Sequence, residues 1–339
     1  MRAREGELIE SNQKVIFDVK GLVHPPNKII AFPRYIPSSK GNREKQGEIY
    51  GKMYNLAERF NYLQQEAPEL IVNDPVFGER LCEVPIKKIT RHFDPIEKLA
   101  ELRQKKDLAE LERKVVELAE QLKIEANIPW NSMGISGSVL VGLYTLQSDI
   151  DPLVYGTENC IKAYQALQNI LQDKSSDFQN YTGQELHNLF DFRSKDTIMS
   201  FENFIEVESR KAFQGMFQKT DYFIRFVKDW IEVKENYGDK IYENCGYSKI
   251  KATVIDDSKS LYTPCSYEIG NVKTVEGPHF DNLSEISSFR GRFCKQAEIG
   301  EKVYVQGKVE RVNNKKESKI HYRIIIGNRP SDYMVLCKR

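Results

Sequence analysis

The stretch MGISGSVLVGLYTLQSDIDPLV, Met133 to Val154, constrains this chain more than any other. A short apolar run ends in Gly137-Ser138, an apolar segment of helical character follows, and two aspartates, Asp149 and Asp151, then stand one residue apart. A strand that hands over to a helix at Gly-Ser aims backbone N–H groups, a hydroxyl and the positive end of a helix dipole at one point, which suits a phosphate. Residues two apart on a strand project from one face, so Asp149 and Asp151 make a hard-oxygen site for Mg²⁺ or Mn²⁺ bridging a triphosphate and an attacking hydroxyl. Either half alone is ordinary turn chemistry, Gly137-Ser138 as a turn with a helix cap and the aspartates as caps of the next loop. In this order and spacing the two halves point to a nucleotide and metal site. Competing motifs fail: GISGS lacks the last glycine of G-x-S-x-G, there is no G-x-x-x-x-G-K-[ST], and no G-x-G-x-x-G follows a strand.

These residues resemble the DNA polymerase beta-like nucleotidyltransferase superfamily, whose pattern is an apolar strand, Gly-Gly or Gly-Ser, a helix, then Asp-apolar-[Asp/Glu]-apolar. The resemblance puts Gly137 and Ser138 at the phosphate positions and Asp149 and Asp151 at the metal positions. It implies a two-metal transfer of a nucleoside monophosphate from a nucleoside triphosphate to an acceptor, with release of pyrophosphate. Pro152 departs from the pattern, because it cannot donate to a sheet ladder, and so suggests a strand end at an edge or a bulge. TDYFIRFVKDW and SSFRGRF are further similar to a group of archaeal proteins predicted to be nucleotidyltransferases. The superfamily adds a third carboxylate on a strand beside the Asp-x-Asp strand. In TDYFIRFVK, Asp221, Phe223 and Arg225 share one face and Tyr222, Ile224 and Phe226 the other, so Asp221 is expected to be that carboxylate, which the resemblance implies binds the catalytic metal with Asp149 and Asp151 and helps take the acceptor's proton, and Arg225 is expected to be a phosphate contact. Asp256 and Asp257, in TVIDDSKS, are the rivals, placed where turn aspartates sit.

Around this motif the chain reads as three parts. Over 1–92, VIFDVK and KIIAFPRYIP form two strands about His24-Pro25-Pro26-Asn27, the polar SSKGNREKQGEIYGK reads as a mobile loop, and a helix is expected from about Gly51 to Glu66. Over 93–238, Asp94-Pro95 starts a one-sided helix through about Glu125, marked by Leu99, Leu102, Leu108, Leu111, Val115, Leu118 and Leu122 and broken near Lys106, and a β-α-β-α unit follows. SFENFIEVESRKAFQGMFQK reads as helical. Over 239–339, KIKATVID, CSYEIGNVKTVEG, EKVYVQGKVERV and HYRIIIGN read as strands, the last two joined by the turn NNKKES. The expected fold is therefore α+β: a polymerase beta-like nucleotidyltransferase core of mixed sheet with helices, flanked by a small N-terminal α+β module and a β-rich, barrel-like C-terminal domain.

Composition excludes several alternatives. The net charge is +1, so any nucleic-acid contact must be local. Such a contact is suggested by Arg290, Arg292, Lys308, Arg311, Lys315, Lys316, Lys319 and Arg323, interleaved with Phe289, Phe293, Tyr304 and Tyr322, although lysines solvating a hairpin tip over core aromatics explain the same residues. The six cysteines include no C-x-x-C and the five histidines no H-x-x-x-H, which disfavours a disulfide framework or zinc. No apolar run approaches the roughly 20 residues of a spanning helix, and MRAREGELIESNQ has no apolar h-region, so no membrane partner and a cytoplasmic location are expected. The leading function is a nucleotidyltransferase acting on an RNA or other polynucleotide end. The alternatives are adenylylation of a small molecule or protein by the same core, and a protein that binds nucleotide or RNA without chemistry.

Overall fold

β-Branched and aromatic residues alternating with polar ones at the N-terminus pair into an antiparallel sheet. In the computed structural model, which describes residues 1–195 and 197–337, its strands are β1 (Leu8–Ser11), β2 (Ile16–Val19), β3 (Lys28–Pro37), β4 (Arg43–Lys45), β5 (Glu48–Lys52), β6 (Ile71–Asp74), β7 (Glu79–Pro85) and β8 (Ile89–Phe93). The main path runs β4-β5-β3-β2-β1-β8, with Glu83–Pro85 of β7 on β3. The expected mobile loop at 38–52 is instead the β4–β5 hairpin, in which Lys45 opposes Glu48 across Gln46-Gly47 and Gln46 takes the uncommon φ of 53°. A glutamine in place of the usual Asn or Asp hides this turn from the sequence pattern. Helix α1 (Leu56–Glu66) follows, capped by the Asn55 side chain accepting from the Glu58 N–H.

The break near Lys106 divides the next helical segment into α2 (Pro95–Gln104) and α3 (Glu110–Ala126). Asp94 caps α2 by accepting from Ile96 and Glu97, while Pro95 takes the first helical position, where its missing N–H costs nothing. Leu99, Leu102, Val115, Leu118 and Leu122 are buried, as their spacing requires, whereas Leu111 is half-buried and Leu108, also half-buried, lies in the break between the two helices. Then come β9 (Met133–Ile135), the short α4 (Gly137–Val141), β10 (Pro152–Tyr155), α5 (Thr157–Ile170), β11 (Phe178–Gln179), α6 (Gly183–Arg193), α7 (Phe201–Glu208), β12 (Gln214–Phe217), β13 (Thr220–Phe223) and β14 (Arg225–Val227). β10 lies between β9, antiparallel, and β14, parallel. Pro152 is thus the first residue of a central strand rather than part of an edge or bulge, a position where proline is tolerated. The helix expected over SFENFIEVESRKAFQGMFQK stops at Glu208, and Gln214–Phe217 is a strand paired with β11 and β13.

The last third holds β15 (Lys240–Asp256), β16 (Cys265–Glu276), β17 (Leu283–Ser288), β18 (Lys302–Asn314), β19 (Lys319–Ile325) and β20 (Tyr333–Leu336). Pairing runs β15-β16-β17-β19-β18 and returns from β18 to β15, so five strands close on themselves with β17–β19 as the one parallel pair, and β20 adds to β18. The turn NNKKES joins β18 and β19 as the sequence implies.

Contacts group the chain into two units. One comprises Met1–Ile71, Cys82–Tyr181 and Ala212–Lys234; the other comprises Val72–Leu81, Thr182–Lys211 and Glu235 onward. The N-terminal strands therefore share a unit with the segment that carries Gly137, Asp149 and Asp221. Among the described residues no helix is long and apolar enough to cross a membrane.

Candidate nucleotide and metal site

The peptide after β9 turns at Gly137, whose φ of +62° lies in the left-handed region. A Cβ built there would stand 1.9 Å from Asp151 Oδ2, so the glycine gives the Asp151 carboxylate the space it occupies. Two hydrogen bonds fix this junction: the Ser136 N–H donates to Asp151 O at 2.8 Å, and Ser136 Oγ donates to Gly6 O at 2.6 Å. Ser138 is buried and its Oγ has no hydrogen-bond partner among the described residues. α4 spans only five residues, so the helix dipole expected behind Gly137-Ser138 is short and contributes little.

Between α4 and β10 the chain runs as a loop held from the β4–β5 hairpin. Arg43, buried, donates through Nη1 to Leu143 O and to Ser148 Oγ. Asp149 follows at once. Ile150 bridges Tyr222 in parallel register, with the Ile150 N–H donating to Asp221 O at 2.9 Å and the Phe223 N–H to Ile150 O at 3.0 Å. Both Ile150 and Tyr222 are 0% exposed. By alternation Asp149 and Asp151 on one strand, and Asp221, Phe223 and Arg225 on the next, share the opposite face. The strand bearing Asp221 thus lies beside the Asp-x-Asp strand. Its side chain is exposed and accepts a hydrogen bond from Tyr181 Oη at 2.9 Å. Among the described residues no three His, Cys, Asp or Glu side chains are gathered to hold a metal ion.

The charges here are unbalanced. Burial, and next the neighbouring Asp149, push the Asp151 carboxyl up to about 7 despite Lys52, Arg225 and Arg34 nearby. Lys52 on β5 is itself lowered by burial and by Arg34, while Asp149 and Asp151 act the other way. Tyr35 on β3 is raised, first by burial and further by Asp151 and Asp149, and its buried hydroxyl has no hydrogen-bond partner among the described residues. Arg225 also reaches Glu5 at 3.2 Å. Asp18 on β2 draws on the same cations: burial would raise it, but Lys20 at 2.8 Å, Arg225, Arg59 and Arg34 hold it well below the usual carboxylate range.

The chain aligns over 343 residues, at 30% identity, with the "Uncharacterized protein MJ1086" of Methanocaldococcus jannaschii, and the match covers 96% of each. It belongs to that protein's family. No family model matches the chain, and no solved structure does.

Pattern reading of the sequence missed Arg34, Tyr35, Arg43 and Lys52, because they sit in the N-terminal strands about a hundred residues before the motif and no local spacing ties them to it. The one available hint is a polar hairpin that buries an arginine.

The rival aspartates have local explanations. Asp256 accepts from the Ser258 N–H and Oγ, as a turn residue does, and Asp257 pairs with Lys295 at 2.7 Å. Several of the C-terminal basic residues are likewise committed. Lys308 pairs with Glu79 and Glu310, Arg323 with Glu310 at 2.7 Å while its guanidinium lies 4.1 Å from the Tyr242 ring centre, and Arg311 with Glu243 at 3.1 Å. Arg290 Nη1 donates to Gly327 O. Phe293 is buried, and Tyr322 packs on Phe280 with ring centres 4.6 Å apart. Lys315 and Lys319 stand exposed at the hairpin tip.

Proposed function

We propose that the chain is a metal-dependent nucleotidyltransferase with a polymerase beta-like core, moving a nucleoside monophosphate from a nucleoside triphosphate to an acceptor hydroxyl on an RNA or other polynucleotide end. The observation that carries this reading is the apposition of Gly137 and Asp151: a left-handed glycine turn lies directly against one member of a carboxylate pair whose mutual repulsion calls for a cation. The donor set fits a hard divalent ion, with two carboxylates, the unpartnered Ser138 Oγ and nearby cations to receive phosphate oxygens. Asp149 and Asp151 would hold Mg²⁺ or Mn²⁺, whose chemistry is neutralisation of triphosphate charge and acidification of the acceptor hydroxyl.

The protein's own residues supply position. Gly137 and Ser138 cradle the terminal phosphates, Arg34 and Lys52 balance their charge, and Arg43 holds the loop that delivers Asp149. The acceptor oxygen bonds to the α-phosphorus, the bond to the bridging oxygen of the β-phosphate breaks, and pyrophosphate leaves with that electron pair. Asp221, on the adjacent strand, takes the acceptor's proton. Catalysis then rests on alignment and charge more than on covalent chemistry.

The deciding assay incubates the protein with each α-labelled nucleoside triphosphate, Mg²⁺ or Mn²⁺, and RNA. Label entering RNA supports the reading. Label entering only small products or protein moves the acceptor class, and no transfer with any nucleotide leaves a binding protein.

A further inference from the structure

Sorting the barrel's cations by their partners separates two sets. The residues in the charge-rich segments, Lys308, Arg311 and Arg323, are held by glutamates. Lys249 and Lys251 on β15, Lys273 on β16 and Lys302 on β18 make no ion pair among the described residues. A lysine without a carboxylate keeps its full charge for a ligand.

Register places these four on one surface. Lys251 opposes Lys273 across β15–β16 and Tyr304 across β15–β18; Lys249 opposes Gln306, and Thr253 opposes Lys302. The alternate residues, Ile250, Ala252, Val254, Val303 and Val305, are buried, so the lysine row points outward. β20 extends the same surface by setting Tyr333 against Gln306. Tyr304 and Tyr333 are half-exposed, and Lys251 Nζ lies 5.2 Å from the Tyr304 ring centre, so cation and ring stand side by side on this surface. One exposed acid, Glu276, stands opposite Lys249.

We propose that this outer surface of β16, β15, β18 and β20 binds single-stranded RNA, with the four lysines on phosphates and Tyr304 and Tyr333 as stacking platforms for bases. Charge complementarity selects a polyanion, and ring planes between lysines select unpaired bases, since a duplex keeps its base faces covered. Thr253 and Gln306, interleaved with the lysines, offer donors and acceptors to the 2′-hydroxyl. As a holding site for the acceptor strand this surface rests on the transferase reading; its affinity for RNA does not.

Fluorescence anisotropy of a labelled 20-nucleotide RNA, without nucleotide or metal, tests the binding on the full chain and on Asp149→Asn/Asp151→Asn alike. Lys249→Gln/Lys251→Gln is expected to weaken binding at least tenfold and to reduce the slope of log Kd against log salt by about 1.4, at roughly 0.7 per lysine for single strands. Tyr304→Ala should weaken binding about tenfold or more with the salt slope unchanged. Lys315→Gln/Lys319→Gln, at the hairpin tip, should change neither. Absence of RNA binding at low salt, equal weakening by both lysine pairs, or equal affinity for single-stranded DNA or duplex RNA would each overturn the assignment. Binding that persists in a protein showing no transfer counts against the transferase reading alone.

Discussion

Substituting Gly137 by alanine separates two costs that the structure keeps distinct. At φ +62° any side chain carries the left-handed penalty, about 1–2 kcal/mol. Gly142, at φ +70°, carries the same penalty but has nothing within 4 Å of a built Cβ, so Gly142→Ala measures that term by itself. At Gly137 the new Cβ meets Asp151 Oδ2 at 1.9 Å, and the carboxylate must retreat by about 1 Å to reach a tolerable contact. A misplacement of that size at reacting groups costs on the order of 10²-fold in rate. Gly137→Ala should therefore be destabilised more than Gly142→Ala in urea denaturation and lose about 10²-fold in nucleotide transfer, while Gly142→Ala keeps most of its rate. Adding Asp151→Ala to Gly137→Ala should recover part of the lost stability, a positive coupling in a double-mutant cycle. If the two alanine variants match in stability and rate and the cycle shows no coupling, the Asp151 carboxylate does not face Gly137 and the site is wrongly drawn.

Other expectations concern single groups. Asp151→Asn should abolish transfer yet stabilise the metal-free protein near pH 8: the raised native carboxyl favours its protonated form, so its stabilising contribution is greatest below about pH 4 and is lost as pH rises through about 7, and denaturation across that range should be flatter in the variant. Ser138→Ala, removing a hydroxyl with no partner, should leave the melt nearly unchanged and weaken nucleotide use by about 1–3 kcal/mol, read as kcat/KM. In the transfer assay Asp221→Asn should be severely impaired while Asp256→Asn and Asp257→Asn stay active; the opposite pattern would move the third carboxylate. His24, which bonds Ala3 O at 2.7 Å and accepts from the Ile30 N–H, is lowered by burial to about 4, so its contribution is present above about pH 6.5 and falls as pH drops toward 4. Denaturation at pH 7 and pH 4 should show a loss, up to about 3 kcal/mol from this group, that shrinks in His24→Gln.

What the sequence disclosed follows the range of its signals. Asp94-Pro95 announces its helix because capping is local, and the leucine spacing of α2 and α3 reports burial because a helix repeats over a few residues. The position of Asp221 beside Asp149-x-Asp151 could be drawn from alternation along TDYFIRFVK together with the superfamily resemblance. Arg43, Lys52 and Tyr35 could not, since their proximity to the aspartates depends on how a sheet of residues 8–93 is ordered. The barrel's basic residues show the same limit. Charge density along the chain singled out Lys308, which Glu310 two residues along the same strand neutralises, and Arg323, which the same glutamate holds across the β18–β19 pair, and passed over Lys249 and Lys251, whose isolation is a matter of register.

The interleaving of segments between the two units has a consequence for synthesis. As the chain emerges, Val72–Leu81 and Thr182–Lys211 must wait, outside the first unit, for partners that are made later, while the first unit itself is incomplete until β14 and the residues through Lys234 have appeared. The second unit closes later still, because β15 needs β18 and β17 needs β19. Such non-local pairing makes folding wait on synthesis of the later strands and leaves unpaired strand edges exposed on the nascent chain. A ribosome-bound intermediate from which residue 234 but not residue 302 has emerged should hold a finished first unit and an unclosed set of barrel strands, the stage at which a chaperone has most to cover.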